Sequence, residues 1–378
     1  MAGIYIHIPF CRQACHYCNF HFSTSLRYKN EFLAALLKEM ELFSATEGSN
    51  NTALIETIYF GGGTPSLLFP EEIQKIIEQA NRHFQVKPDA EITLEANPDD
   101  ITMEKLEGWK HSGINRLSLG IQSFFEEDLQ WMNRAHTAKQ AVNNLQLALT
   151  YFPNITIDLI YGTPHLSNEK WKQNVEKVIA LNIPHLSCYA LTVEPKTPLD
   201  KMIRLHQSPG VDTDKQSEQF LLLMQWLETA GYEHYEISNF AKPGHRSRHN
   251  SSYWQGKKYI GFGPSAHSFD GKTRWWNVSN NNLYIQSIQN NILPVEKEVL
   301  TTTQQMNEFI MISLRTLEGL DLNKLQAIDP ARKIKDQVLK QSKKFQERGL
   351  LEGNGSTIRL TKEGKLMADG IASDLFLD

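Results

Sequence analysis

Along the first half of the chain, short runs rich in β-branched and aromatic residues alternate with longer stretches whose apolar positions recur every three or four residues. The short runs predict strands near Ile4–Ile8, Glu56–Phe60, Glu91–Glu95, Arg116–Gly120, Thr156–Tyr161 and His185–Leu191. The longer stretches predict helices near Lys29–Ser44, Glu71–His83, Met103–His111, Ala138–Leu149 and Glu169–Ala180. This alternation is the pattern of repeated βα units around a parallel sheet, so the expected class is α/β, a partial (β/α)6 barrel. Such folds place their chemistry at the C-terminal strand ends. Cys11 follows the first of those ends, Gly61-Gly62-Gly63-Thr64-Pro65 the second, Glu95 closes the third, Gln122 follows the fourth and Asp158 lies within the fifth.

The texture changes after Pro198. A loop at Ser208-Pro209-Gly210 leads into a helix near Lys215–Thr229 and then a stretch rich in His, Asn, Trp and Gly from Glu233 to Trp276. From about Leu300, helical runs lead to two β-like runs around a glycine turn between Gly349 and Leu360, then a last helix. That order resembles a small winged-helix α+β domain. The divisions are 1–200 for the barrel, 201–299 for an extension and 300–378 for the C-terminal domain.

At 378 residues the chain is long enough for two or three such units, and its net charge of −4 supplies no general attraction to nucleic acid or anionic lipid. The first residues lack a basic segment followed by a long apolar one, and no run of eighteen apolar residues appears later, which predicts a cytoplasmic protein. Thiols stay reduced there. Three of the four cysteines crowd near residue 15 and read as metal ligands, whereas Cys188 lies in an apolar run and reads as a core thiol.

Cys11-Arg-Gln-Ala-Cys15-His-Tyr-Cys18 has the spacing C-x3-C-x2-C, which lets one loop wrap one metal centre. A four-iron cubane normally takes four thiolates, so three leave one iron open. With the aromatic Tyr17 before the third cysteine, the motif resembles that of the radical S-adenosylmethionine superfamily. The resemblance implies a [4Fe-4S] cluster on Cys11, Cys15 and Cys18. The open iron would chelate the amino and carboxylate groups of S-adenosylmethionine, whose reductive cleavage yields a deoxyadenosyl radical. A structural zinc site using the same cysteines with His7, His16 or His21 is the alternative, but zinc motifs usually pair cysteines at both ends of a longer loop.

The resemblance extends along the chain. Tyr5-Ile-His-Ile-Pro-Phe-Cys11, Gly61-Gly-Gly-Thr-Pro-Ser66, Glu95-Ala-Asn-Pro98, Arg116-Leu-Ser-Leu-Gly-Ile-Gln-Ser-Phe124, Asp158-Leu-Ile-Tyr-Gly162 and His249-Asn-Ser-Ser-Tyr-Trp254 are similar to the HemW family of heme chaperones and the related HemN coproporphyrinogen oxidases. Carried over by position, Tyr5, Gly62, Gly63, Thr64, Glu95, Gln122, Arg134 and Asp158 would line the S-adenosylmethionine site. Carboxylates suit its ribose or ammonium group, Arg134 its carboxylate, and Tyr5 and Tyr17 its adenine. Thr192 and His267 align with further cofactor-contacting positions.

Two departures favour the chaperone over the oxidase, which is the alternative reading. Phe20 stands where the oxidase has an extra cysteine, and the oxidase's N-terminal arm has no counterpart before Tyr5. The His249 motif suits heme, because neutral imidazole is a usual axial ligand; His245, His267 and Cys188 are further candidates. The resemblance implies heme as cofactor and cargo, respiratory heme proteins at the membrane as acceptors, peripheral membrane contact during transfer and a cluster-dependent homodimer. It also implies a radical S-adenosylmethionine protein without coproporphyrinogen oxidase activity. A reading of another class is a winged-helix nucleic-acid binder using Arg332, Lys333, Lys335, Lys340, Lys343, Lys344, Arg348, Arg359 and Lys362. Scattered lysines on helices more often form a solvated face, and no nucleic acid is expected.

Overall fold

The computed structural model describes residues 2–47 and 53–378. Its first half is the expected succession: β1 (Ala2–Ile8), α1 (Lys29–Glu47), β2 (Ile55–Gly62), α2 (Pro70–His83), β3 (Val86–Ala96), α3 (Met103–His111), β4 (Arg116–Gln122), α4 (Glu126–Trp131), α5 (Ala138–Tyr151), β5 (Ile155–Tyr161), α6 (Asn168–Ala180) and β6 (His185–Ala190). Strands β1 to β6 pair in sequence order and in parallel. The short α4 has too few residues to show a helical period, and its sequence carries no such signal.

Alternation along each strand divides the two faces. On β1, Ile4, Ile6 and Ile8 are fully buried in the main core, while Gly3, Tyr5 and His7 occupy the other face, the barrel interior. The interior continues around the sheet through Thr57 and Tyr59, Glu91 and Glu95, Arg116 and Ser118, Asp158, and His185 and Ser187. Helices cover the outside. On α2, Ile73, Ile76, Ile77 and Ala80 form one buried stripe, Pro70 starts the helix, and the Glu72 carboxylate accepts the Phe69 backbone N–H at 2.8 Å.

The middle of the chain completes this sheet. It contains α7 (Pro198–Arg204), α8 (Thr213–Thr229), β7 (Glu233–Glu236), β8 (Asn239–Ala241), α9 (Arg248–Trp254), β9 (Lys258–Phe262), β10 (His267–Phe269), β11 (Thr273–Asn277), α10 (Asn281–Gln289) and β12 (Val295–Val299). The β7–β8 hairpin extends the β6 edge, whereas β9 runs parallel to β1 and carries β10 to β12 beyond it. The order is β12-β11-β10-β9-β1-β2-β3-β4-β5-β6-β8-β7, so the extension joins the barrel at both edges. Between them α9 closes the floor, its His249 beside Gly3 and Thr57 at the N-terminal ends of the strands.

The C-terminal region has its own core, including Met306, Ile310, Leu325, Val338 and Ile358. It runs α11 (Thr302–Leu314), β13 (Leu320–Asp321), α12 (Leu322–Ile328), α13 (Ile334–Glu347), β14 (Leu351–Gly353), β15 (Thr357–Leu360) and α14 (Ala368–Asp374), with a three-stranded sheet ordered β13-β15-β14. This domain packs onto the barrel rim. Arg315 Nε donates to buried Glu236 at 3.1 Å, and Ile237 N–H donates to Arg315 O at 3.1 Å. Lys344 and Lys362 are paired with Asp374 and Glu228. Among the described residues no helix is long and apolar enough to cross a membrane.

Candidate functional site

A cavity of about 870 Å3 opens between the C-terminal ends of the strands and the C-terminal domain. Cys11, Cys15, Tyr17, Cys18, Gly62, Gly63, Thr64, Glu95, Gln122, Arg134, Asp158 and Thr192 all line it. Tyr5 does not: it stands below the cavity, its hydroxyl 3.2 Å from His7 Nδ1. His267 lies on β10 and stacks on Trp276, outside the lining.

His249 is also elsewhere. It is 1% exposed in the floor, with Nδ1 2.7 Å from Thr57 Oγ1 and Nε2 2.9 Å from the Tyr253 hydroxyl. Both ring nitrogens are engaged, and in this arrangement neither is offered to a heme iron. His249, expected as a candidate axial imidazole, is turned inward by α9 together with Tyr253, one helical turn on. Cys188 is a buried core thiol packed outside the barrel interior.

The cysteine loop is tied down at each point. Cys11 N–H donates to Ser23 O at 3.0 Å, and His16 N–H to Met132 O at 3.1 Å. Asn133, at φ 56°, donates its amide to Ala14 O at 2.7 Å. Arg12 joins the loop to buried Asp100 at 2.7 Å, and Asp100 accepts the Ser66 hydroxyl beside the glycine turn. The turn meets the cysteine loop directly: Gly63 N–H donates to Ile8 O at 2.9 Å and Thr64 N–H to Phe10 O at 2.7 Å. A Cβ on Gly63 would sit 2.5 Å from Phe10 O, so only glycine permits this approach.

All three thiols are free and partly exposed toward the cavity. Burial pushes Cys11 up to about 11, with the Thr64 hydroxyl pulling it back, and also raises Cys18. Cys11 and Cys18 therefore keep their protons until a metal displaces them. The donor set fits an iron-sulfur cluster. Among the described residues no three His, Cys, Asp or Glu are grouped closely enough for a single ion. For the zinc alternative, His7 has both ring nitrogens engaged, Nδ1 with the Tyr5 hydroxyl at 3.2 Å and Nε2 with His21 O at 2.8 Å, while His16 Nδ1 bonds Trp131 O at 2.8 Å and His21 Nε2 bonds Asn281 Oδ1 at 2.7 Å.

Beside the thiols, Arg134 donates to Cys15 Sγ at 3.3 Å, Asn97 Oδ1 at 2.7 Å and Gly120 O at 2.9 Å. Its Nε–H is buried and has no partner among the described residues, an unspent donor suited to a ligand carboxylate. Asn97 also donates to Thr64 Oγ1 at 3.3 Å, linking the glycine turn to Arg134. Asn97 directly follows β3 within the Glu95–Pro98 motif, but an amide at a strand end carries no signal of its own in the sequence. Gln122 ends β4 at φ 65°, an uncommon conformation for a side-chain-bearing residue and one that turns the chain at the rim. The upper wall of Arg315 and Lys365–Gly370 was not legible at all.

Burial pushes Glu95 up to about 8, against the Tyr59 hydroxyl that donates to it at 2.7 Å, while Asp158 raises it further. Asp158 is itself pushed up to about 6 by burial, with Ser187 opposing. The Glu95 value lies above that of the unfolded chain, so its contribution to stability is full below the unfolded value and is lost as pH rises through about 8. A cationic ligand group needs the carboxylate, which is a minor form at pH 6. S-adenosylmethionine should therefore bind at least roughly tenfold tighter at pH 8 than at pH 6, the most that one coupled proton allows being tenfold per pH unit. Anaerobic calorimetry of the wild type and Glu95→Gln measures this. Equal slopes in the two proteins would remove Glu95 from the site.

A parallel barrel with three free thiols packed against a glycine turn at its rim defines a radical S-adenosylmethionine protein, and the Radical SAM superfamily model matches residues 5–196. The model of the HemN C-terminal domain matches residues 300–367. Heme chaperone HemW of Bacillus subtilis (strain 168) is 35% identical over 378 residues, covering 98% of either chain. Heme chaperone HemW of Mycobacterium tuberculosis (strain ATCC 25618 / H37Rv) is 34% identical over 379 residues, covering 99% of this chain and 94% of its own. The chain belongs to the HemW family of the radical S-adenosylmethionine superfamily. Its fold matches that of coproporphyrinogen III oxidase (HemN) from Escherichia coli with a TM-score of 0.85 and 23% identity, over 99% of this chain and 90% of the other.

Proposed function

We propose that the chain is a heme chaperone that carries a [4Fe-4S] cluster and an S-adenosylmethionine site, acts from the cytoplasm and passes its heme to respiratory heme proteins at the membrane. The similarity to HemW chaperones over the whole chain carries this reading, at 34–35% identity against 23% for the oxidase. Phe20 beside the third cysteine supports it.

When bound, the cluster and S-adenosylmethionine supply one-electron chemistry. The residues of this chain do the rest. Cys11, Cys15 and Cys18 hold the cluster, Gly62 to Thr64 bring backbone groups against the methionyl end, Arg134 orients a carboxylate, and Glu95 and Asp158 take up cationic or hydroxyl groups. The cavity mouth suits a flat apolar ring with acidic arms. Phe20 is 66% exposed there, with Tyr189, Phe220, Leu366 and Met367 nearby. Burial pushes Lys365 down to about 8, and a propionate beside its ammonium group would raise it again.

The test reconstitutes the cluster anaerobically and assays heme binding and coproporphyrinogen III turnover side by side, with S-adenosylmethionine binding as a control. The expected result is a Soret band without carbon dioxide release. Phe20→Ala and Lys365→Ala should each weaken heme binding by roughly tenfold, as expected for one lost ring contact or charged pair, and leave the iron content unchanged. Movement of the Soret signal from the loaded chain to a heme-free respiratory protein measures delivery. Stoichiometric carbon dioxide release from the substrate's propionates would establish the oxidase instead.

A further inference from the structure

The barrel floor lies outside the cavity, yet one line of contacts leads from it to the rim. His249 cannot turn freely. Both ring nitrogens are hydrogen-bonded as described above, its backbone N–H donates to Glu91 Oε1 at 3.0 Å, and the preceding N–H of Arg248 donates to Glu91 Oε2 at 3.2 Å. β1 is shaped to admit the ring: a Cβ on Gly3 would stand 3.2 Å from His249 Nδ1 and 2.8 Å from Thr57 Oγ1. The imidazole then stacks on Tyr59, with centroids 4.9 Å apart and planes inclined by 21°. That separation is within the favoured range for offset rings. Tyr59 also stacks on Tyr5 at 6.2 Å and 20°, and its hydroxyl reaches Glu95.

We propose that His249 is a positioning residue of the S-adenosylmethionine site: its ring seats that of Tyr59, so that the Tyr59 hydroxyl holds the Glu95 carboxylate in one orientation at the rim. This rests on the reading of that rim as the S-adenosylmethionine site. Glu95 alone has three rotatable side-chain bonds and would lose its preferred direction on release, at an entropic cost to whatever ligand it receives. Burial pushes His249 down to about 3, so the ring is neutral and acts by packing and neutral hydrogen bonds. The rest of the motif has a matching place. Tyr253 closes the other side of the imidazole at 5.1 Å and 90°, and Trp254 lies under Arg315 of the C-terminal domain at 5.1 Å.

The full chain with reconstituted cluster is compared in six forms: wild type, Tyr59→Phe, His249→Phe, His249→Asn, the double variant of Tyr59→Phe with His249→Asn, and Glu95→Gln. The readouts are S-adenosylmethionine affinity, iron content, melting temperature and the heme Soret band. Tyr59→Phe removes one oxygen and should weaken affinity by roughly tenfold, the effect of one hydrogen bond to a charged group. His249→Asn should weaken it comparably, whereas His249→Phe, which keeps a ring against Tyr59, should stay within about threefold of wild type. Combining His249→Asn with Tyr59→Phe should add nothing to Tyr59→Phe alone, because the two act through one contact. The Soret band should survive in all.

Several results overturn the proposal. One is wild-type affinity in Tyr59→Phe or His249→Asn while Glu95→Gln binds weakly. Another is a fully additive double variant, and a third is His249→Phe as weak as His249→Asn. Loss of the Soret band in His249→Asn with S-adenosylmethionine affinity intact would make His249 a heme ligand instead. Unchanged affinity in Glu95→Gln removes the underlying site and the proposal with it. If His249→Asn does not fold, Tyr59→Phe and His249→Phe decide.

Discussion

Replacing any one of Cys11, Cys15 or Cys18 with Ala is expected to abolish the cluster, while Cys188→Ala keeps it. Two thiolates cannot hold a cubane against solvent, and no other thiol among the described residues can substitute. Cys188 is 1% exposed in the core, where burial raises its thiol well above the usual range. The loop itself should survive, because its anchors are backbone hydrogen bonds and Asn133, not the sulfurs. Iron and sulfide analysis after anaerobic reconstitution is the measurement. Full iron content in the Cys15 variant, or none in the Cys188 variant, would overturn the ligand assignment. The raised Cys11 and Cys18 thiols add a sign: loading must displace protons, so at limiting iron and sulfide it should be more complete at pH 8 than at pH 6.

Arg134→Met should have the next largest effect, weakening S-adenosylmethionine binding on the order of a hundredfold, near the upper limit for a charged hydrogen-bonded group. The substitution removes a guanidinium that touches Cys15 and leaves Asn97 Oδ1 and Gly120 O without their donor. Asn97 would then be free to swing away from Thr64, loosening the glycine turn as well. Arg134→Lys should rescue only a small part. A single ammonium group cannot reproduce a planar fork aimed at three acceptors. Equilibrium binding with iron content as control tests both variants, and unchanged affinity in an iron-replete Arg134→Met protein would sink the assignment.

The six βα units were legible because each strand is a run of β-branched and aromatic residues, and each long helix carries an apolar stripe. The rim followed from them: once Gly62, Glu95 and Asp158 stand at or near parallel strand ends, they must share one mouth. Tyr5 stands three residues before the end of β1, against Gly61 and outside the cavity lining. His249 was harder. A histidine among Asn, Ser, Tyr and Trp looks like a ligand by residue type, and only the packing of α9 against Gly3 and Thr57 reveals a floor. The wall at Lys365–Gly370 had no local signal, since its place depends on how a distant domain docks. Strand β9 was hidden similarly: Lys258–Phe262 is short and glycine-containing, and its parallel pairing with β1 depends on a partner at the opposite end of the chain.

That pairing also sets a timetable for synthesis. Ala2 of β1 lies against Lys258 of β9, so the outer edge of β1 waits until that later segment leaves the ribosome. At 5–20 residues per second the delay is on the order of 10–50 s. Throughout it, Ala-Gly-Ile-Tyr-Ile-His-Ile presents unpaired backbone groups on an apolar strand, a template for mispairing with another nascent chain. The segment that bears the metal-binding loop is thus made well before its edge partner and sealed late, an interval in which a holdase would cover the open edge.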